Sequence, residues 1–169
     1  MGDSGHERTA AWRTEAISGF TRSELFDRTF QEGMELVEET AAYLDGTGRQ
    51  DSKLLSRNAA LAYASESMRL TTRLMQVASW LLVQRAVREG DMAPEAALDA
   101  SYRLAAEAES TDDAVIEILP MPFAALIERS GRLFERVRHL DARMYVETDA
   151  APPHPVLAQM ERLKDAFGT

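Results

Sequence analysis

Glu66–Arg88 reads ESMRLTTRLMQVASWLLVQRAVR, and the way this stretch winds decides the fold. At about 100° per residue on a helix, Leu70, Leu74, Val77 and Leu81 fall on one stripe. Met68, Thr71, Met75, Ala78 and Leu82 fall on a second stripe, which Leu61 extends backwards. Side by side the two make an apolar arc of about 180°, wider than one packing face requires. A central helix packed on both flanks explains that width. Trp80 joins neither stripe. It points with Arg69, Arg73 and Gln76, toward the side a helix normally gives to water. Val83 and Val87 follow it, and with Leu81, Leu82 and Ala86 they make the last three turns apolar nearly all round. Such a segment is covered on every side. Either the chain's own excursion over 91–122 is the lid, or another subunit or partner is, and Trp80, Val83 and Val87 are then a self-association or partner surface.

Working outward, no proline or glycine interrupts Arg57 to Glu89, Ser56 is placed to cap the start, and Gly90 stops the helix. At 1.5 Å per residue the helix runs to roughly 50 Å. Upstream, Ser23 caps a helix over SELFDRTFQEGMELVEETAAYLDG, whose face is Phe26, Phe30, Met34, Val37, Ala41 and Leu44. Gly46 and Gly48 are expected to end it through glycine's left-handed freedom, with TGRQDSKLL as a linker. Downstream, Asp91 and Pro94 set up a short alanine-rich helix near 94–108. An irregular stretch follows, with Val115–Leu119 the one candidate strand. The third long helix runs from Phe123 to about Val146 on a face of Leu126, Ser130, Leu133, Val137, Leu140 and Met144. The expected fold is all-α, an antiparallel bundle of three long helices with a short crossover helix and flexible termini. Its units are a mobile arm at 1–22, the bundle at 23–147, and a tail at 148–169. The core should include Phe30, Met34, Leu61, Leu74, Met75, Leu82, Leu133 and Val137.

Composition limits the function. A chain of 169 residues holds one domain with a real core. Its net charge of −9 opposes duplex nucleic acid or an anionic membrane as the main partner, since both demand clustered positive charge. No cysteine is present, so disulfide and thiolate chemistry are excluded and a reducing cytoplasm is the simplest location. The longest apolar run, Val77–Val83 broken by Ser79, is far short of the ~20 residues that span a bilayer. MGDSGHERTAAW has no hydrophobic segment of the kind a secretory signal needs.

A search for chemistry yields no catalytic, cofactor or metal site. Glu135 and His139 stand four apart, whereas helical di-iron sites use Glu-x-x-His pairs with further inward carboxylates. GTGR at Gly46–Arg49 lacks the lysine and Ser/Thr of a phosphate loop. Glu32, Glu35, Glu38 and Glu39 make a solvated face. One charged feature remains: Arg129, Arg132, Arg136, His139 and Arg143 share a narrow sector beside the apolar face. They are either paired internally or form a ridge for an acidic protein or a nucleotide messenger, since the arginine fork suits both. In the tail, the proline-rich TDAAPPHP precedes a piece in which Val156, Met160, Leu163 and Phe167 share a helical face. A helix of about a dozen residues is marginal alone. It folds back on its own bundle, or it is a tethered docking arm that lies in a partner's groove.

Two segments carry a resemblance. EGMELVEETAAYLDGTGRQDSKLLSRNAALAYASESMRLTTRLMQVASWLLVQRAVREGDM and LPMPFAALIERSGRLFERVRHLDARM are similar to the regulator of CtrA degradation (RcdA) family of alphaproteobacteria. The match covers about 23–92 and 119–144. The resemblance implies a dimerising helical bundle without catalytic residues. It further implies an adaptor that helps deliver cell-cycle regulators to the ClpXP protease, with ClpX, co-adaptors and cargo regulators as partners and a flexible tail. A structural or regulatory homodimer with no proteolytic role is the rival reading, and an enzyme built in a helical bundle is the third.

Overall fold

A computed structural model describes residues 11, 14, 15, 17–105 and 110–146. The elements are α1 (Glu24–Asp45), α2 (Thr47–Lys53), α3 (Arg57–Glu89), two single 3-10 turns at Ala96–Leu98 and Ala100–Tyr102, α4 (Asp113–Glu117) and α5 (Met121–Val146). No strand occurs among the described residues. The fold is all-α, as expected.

Local chemistry sets the ends of the long helices. The Ser23 hydroxyl accepts the Phe26 N–H at 3.2 Å, and that of Ser56 accepts the Ala59 N–H at 3.3 Å, each satisfying a donor that the first turn leaves free. Gly90 closes α3 with φ of 81°, the left-handed conformation only glycine takes without strain. Gly46 works differently. Its φ of −112° is not left-handed, but a Cβ there would stand 2.9 Å from the Ala42 carbonyl oxygen, and the chain turns straight into α2, where a linker was expected. Gly48 is required by packing, because a Cβ there would stand 2.6 Å from the Tyr63 hydroxyl and 2.7 Å from the Tyr43 carbonyl oxygen.

Each long helix packs on the other two. Arg88 near the end of α3 pairs with Asp27 near the start of α1, so these two run antiparallel. Arg129 meets Glu39 at 2.7 Å and Arg136 meets Glu32 at 2.6 Å, which sets α5 antiparallel to α1 as well. Consequently α3 and α5 run parallel: Tyr63 touches Phe123 at one end and Trp80 touches Asp141 at the other. The expected antiparallel order therefore holds for α1 against its two neighbours only. The reason is the crossover, which carries the chain back along the bundle before α5 begins.

That crossover also corrects two expectations. No alanine-rich helix forms within its described part. Asp99 accepts the Ser101 N–H at 2.9 Å, and this side-chain turn stops the first 3-10 turn and starts the second. The candidate strand at Val115–Leu119 is overturned: its first residues belong to α4, capped by Asp112 through the Ala114 N–H at 3.0 Å.

The core holds Phe26, Leu36, Leu70, Leu74, Val77, Trp80, Leu81, Phe123, Leu133, Phe134 and Val137. The α5 face matches expectation from Leu126 to Val137, with Leu140 and Met144 half-buried. On α1 the seam is turned. Thr29, Gly33, Leu36 and Thr40 are buried beside Phe26, Phe30 and Met34 are half-buried, and Ala41 is exposed. Small residues hold the centre because the helices approach closely: a Cβ at Gly33 would lie 2.6 Å from Leu81 Cδ1. Much of the arm 1–22 lies outside the described residues. Its end, 17–21, is helical, with Ile17 and Thr21 buried.

Candidate functional site

One apolar stripe of α3, Leu70, Leu74, Val77 and Leu81, is buried as expected, but the second is exposed and part of the polar side is buried in its place. Arg73 is 7% exposed, Glu66 5% and Gln84 3%, whereas Leu61 is 65%, Met68 73%, Met75 66% and Leu82 51% exposed. The expected burial of Leu61, Met75 and Leu82 is thus overturned. Both neighbours of α3 lie on one flank, and that flank supplies partners for its polar side chains. Arg73 donates to the Ser130 hydroxyl at 3.0 Å, and Glu66 accepts from Thr111 at 2.8 Å. Burial pulls the Arg73 guanidinium below its ordinary range, with nearby Glu66 opposing.

Trp80 is 2% exposed and its indole Nε1–H donates to Asp141 Oδ1 at 3.0 Å. Arg103 stands 3.7 Å from the same carboxylate, whose Leu104 N–H contact completes the cage. Burial raises the Asp141 carboxyl above the usual range, against the pull of Trp80 and Arg103. Phe20 lies 6.0 Å from the indole. Val87 joins Ile17 and Ala97 in a second small cluster, with Val83 half-buried against it. The chain's own crossover and N-terminal segment are the lid. Trp80 and Val87, expected at a self-association or partner surface, are therefore covered within the subunit, and Val83 is half-buried.

The arginine ridge is largely tied down. Arg129 and Arg136 bridge to Glu39 and Glu32 of α1, and Arg132 pairs with Glu128 on its own helix. Arg143 is exposed near the end of α5, and His139 is exposed one turn before it. Val156, Met160, Leu163 and Phe167 lie outside the described residues. No group of three or more His, Asp or Glu side chains is placed to hold a metal among the described residues. No described helix is long and apolar enough to cross a membrane.

The surface feature that wheel reasoning missed is the exposed row Leu61, Met68, Met75, Leu82. Its signal was present as a strict seven-residue repeat, the period of a helix-pairing seam. Beside the row, a groove of about 490 Å³ runs along Met75, Gln76, Trp80, Val83, Tyr102 and Arg103.

These observations define an all-α helical bundle whose central helix turns a mostly apolar face outward. The chain belongs to the family described as protein of unknown function (DUF1465), whose model matches residues 17–167. Among solved structures it is similar to RcdA from Caulobacter crescentus, at 69% identity with a TM-score of 0.63, over 76% of this chain and 98% of that one. A search of curated proteins gives no match.

Proposed function

We propose that the chain is a non-enzymatic adaptor that acts in the cytoplasm and helps deliver cell-cycle regulators to the ClpXP protease. The observation that carries this reading is the 69% identity to RcdA across 98% of that chain. At that identity, surface as well as core is largely shared. Its partners are proteins: ClpX or a co-adaptor on one side and the cargo regulator on the other. The outward arginines Arg132 and Arg143 contribute to one contact, and the tail with Val156, Met160, Leu163 and Phe167 is the tethered docking arm. The adaptor works as a homodimer.

The test is a reconstituted degradation reaction with ClpXP, a co-adaptor and a candidate cell-cycle regulator. Adding the chain should raise the degradation rate in a saturable way. An unchanged rate across regulators and co-adaptors contradicts the adaptor reading. The exposed row on α3 favours a second reading, a structural or regulatory homodimer with no proteolytic role, and that result would leave it standing.

A further inference from the structure

Gly131 stands within α5, where glycine is the least favourable helix residue after proline. Gly33 and Gly48 are explained by what a side chain there would strike. Gly131 is not: among the described residues a Cβ would meet only Arg73 Nη1, at 3.9 Å, which is ordinary contact. The missing side chain leaves a dip in the surface of α5. Two hollows of about 620 and 580 Å³ meet at this point and share Arg73, Ser110, Glu128 and Gly131. Together they run from His139 to Met121, about 27 Å along the helix, the span of about eight extended residues.

The two halves differ in chemistry. Toward His139 the lining carries Arg129, Arg132 and Arg136. Each holds its glutamate through one guanidinium nitrogen, so most of the donors on each fork are not used by the fold. Surface pairs of this kind contribute little to stability and exchange readily. Arginine offers donors only, so a visitor must bring acceptors, and a carboxylate fits the fork. Toward Met121 the lining turns to Ala124, Ala125 and Ile116, with Asp113 beside them. The length suits a peptide rather than a nucleotide, and Phe134, in the arginine half, is 1% exposed and gives a base no face to stack on. We propose that this groove takes an extended acidic segment of a partner protein, with carboxylates on Arg129, Arg132 and Arg136 and small apolar side chains toward Met121. Its backbone crosses α5 at Gly131, where the absent side chain permits close approach.

This inference rests on the reading above that the partners are proteins, and its test is scored apart from the degradation reaction. The probe is a fluorescein-labelled peptide of about eight residues, alternating glutamate and alanine and ending in leucine, beside a twin with glutamine for glutamate. Anisotropy is followed with the full-length chain, and each variant is also melted. At a net charge of −9 the chain as a whole repels such a peptide, so binding reports the local arginines. The expected outcome is saturable binding, at least tenfold tighter for the glutamate peptide than for its twin. Arg132→Glu combined with Arg136→Glu should weaken it at least tenfold. Gly131→Leu should do the same with every charge in place and without lowering the melting temperature, because leucine is the better helix former; it decides the matter if the charge reversal unfolds the chain. Binding that ignores Gly131→Leu lies elsewhere and overturns the inference, as does equal binding of the two peptides or full displacement by an equimolar guanine nucleotide. Faster cargo degradation with the unmodified chain would then leave the adaptor reading standing, whereas peptide binding at the groove without faster degradation would overturn that reading and keep the groove.

Discussion

Trp80 and Asp141 stand 61 positions apart and share one buried hydrogen bond of 3.0 Å. Replacing Trp80 by Phe keeps most of the ring's packing and leaves the Asp141 oxygen short of a donor, which should cost about 1–3 kcal/mol. Urea unfolding followed by helicity measures it; a loss near zero would mean that solvent reaches the carboxylate. The sign of the pH effect follows from the raised Asp141 carboxyl. The fold holds this proton more tightly than the unfolded chain does, so ionisation costs stability. That cost is absent below the ordinary aspartate range, near pH 4, and enters as pH rises through the folded value. Asp141→Asn keeps an acceptor for the indole but cannot ionise. Relative to wild type, it should gain stability between about pH 4 and 7, and thermal melts across that range should trend accordingly. The reverse trend would mean that the Arg103 pairing outweighs burial. That Trp80 was out of place was legible in the sequence. Its partner was not, because no local pattern announces a carboxylate so far along the chain.

At the scale of elements, boundaries were readable wherever a local hydrogen bond or a forced dihedral sets them, as at Ser23, Ser56 and Gly90. The side that α3 turns to the core was not readable. Two apolar stripes competed, and the choice depended on Ser130 and Thr111 being available to bury Arg73 and Glu66. A pair of substitutions at adjacent positions tests the outcome. Leu74→Ala, at 4% exposure, should cost about 2–5 kcal/mol. Met75→Ala, at 66% exposure, should change the stability of the subunit by less than about 0.5 kcal/mol. Equal losses would mean that α3 is rotated from the orientation described. Gly90→Ala should cost about 1 kcal/mol because its φ is positive, and a neutral result would remove the left-handed cap.

At the scale of the molecule, the crossover decides the order of the helices and is also the lid over Trp80. It was legible as an excursion but not as a cover, since little in its composition shows which surface it meets. The ridge illustrates the same limit: the clustering of Arg129 and Arg136 was plain, while Glu39 and Glu32 as their partners required the antiparallel placement of α1. The tail gives a prediction at this scale. Deleting 156–169 should leave the melting temperature of the bundle unchanged and abolish delivery of a cargo regulator to ClpXP. Retained delivery, or a destabilised bundle, would rule out a docking arm. The central claim is that the chain works as a homodimer, and the mostly apolar outer face of α3, with Arg69 its exposed charge, is the surface proposed for it. Sedimentation equilibrium of the full-length Met68→Glu, Met75→Glu double variant tests it most directly, with helicity followed in the same samples. The account predicts a wild-type dimer and a variant that sediments as a fully helical monomer. A variant that keeps the wild-type dimer mass, or that loses its helicity, would contradict it.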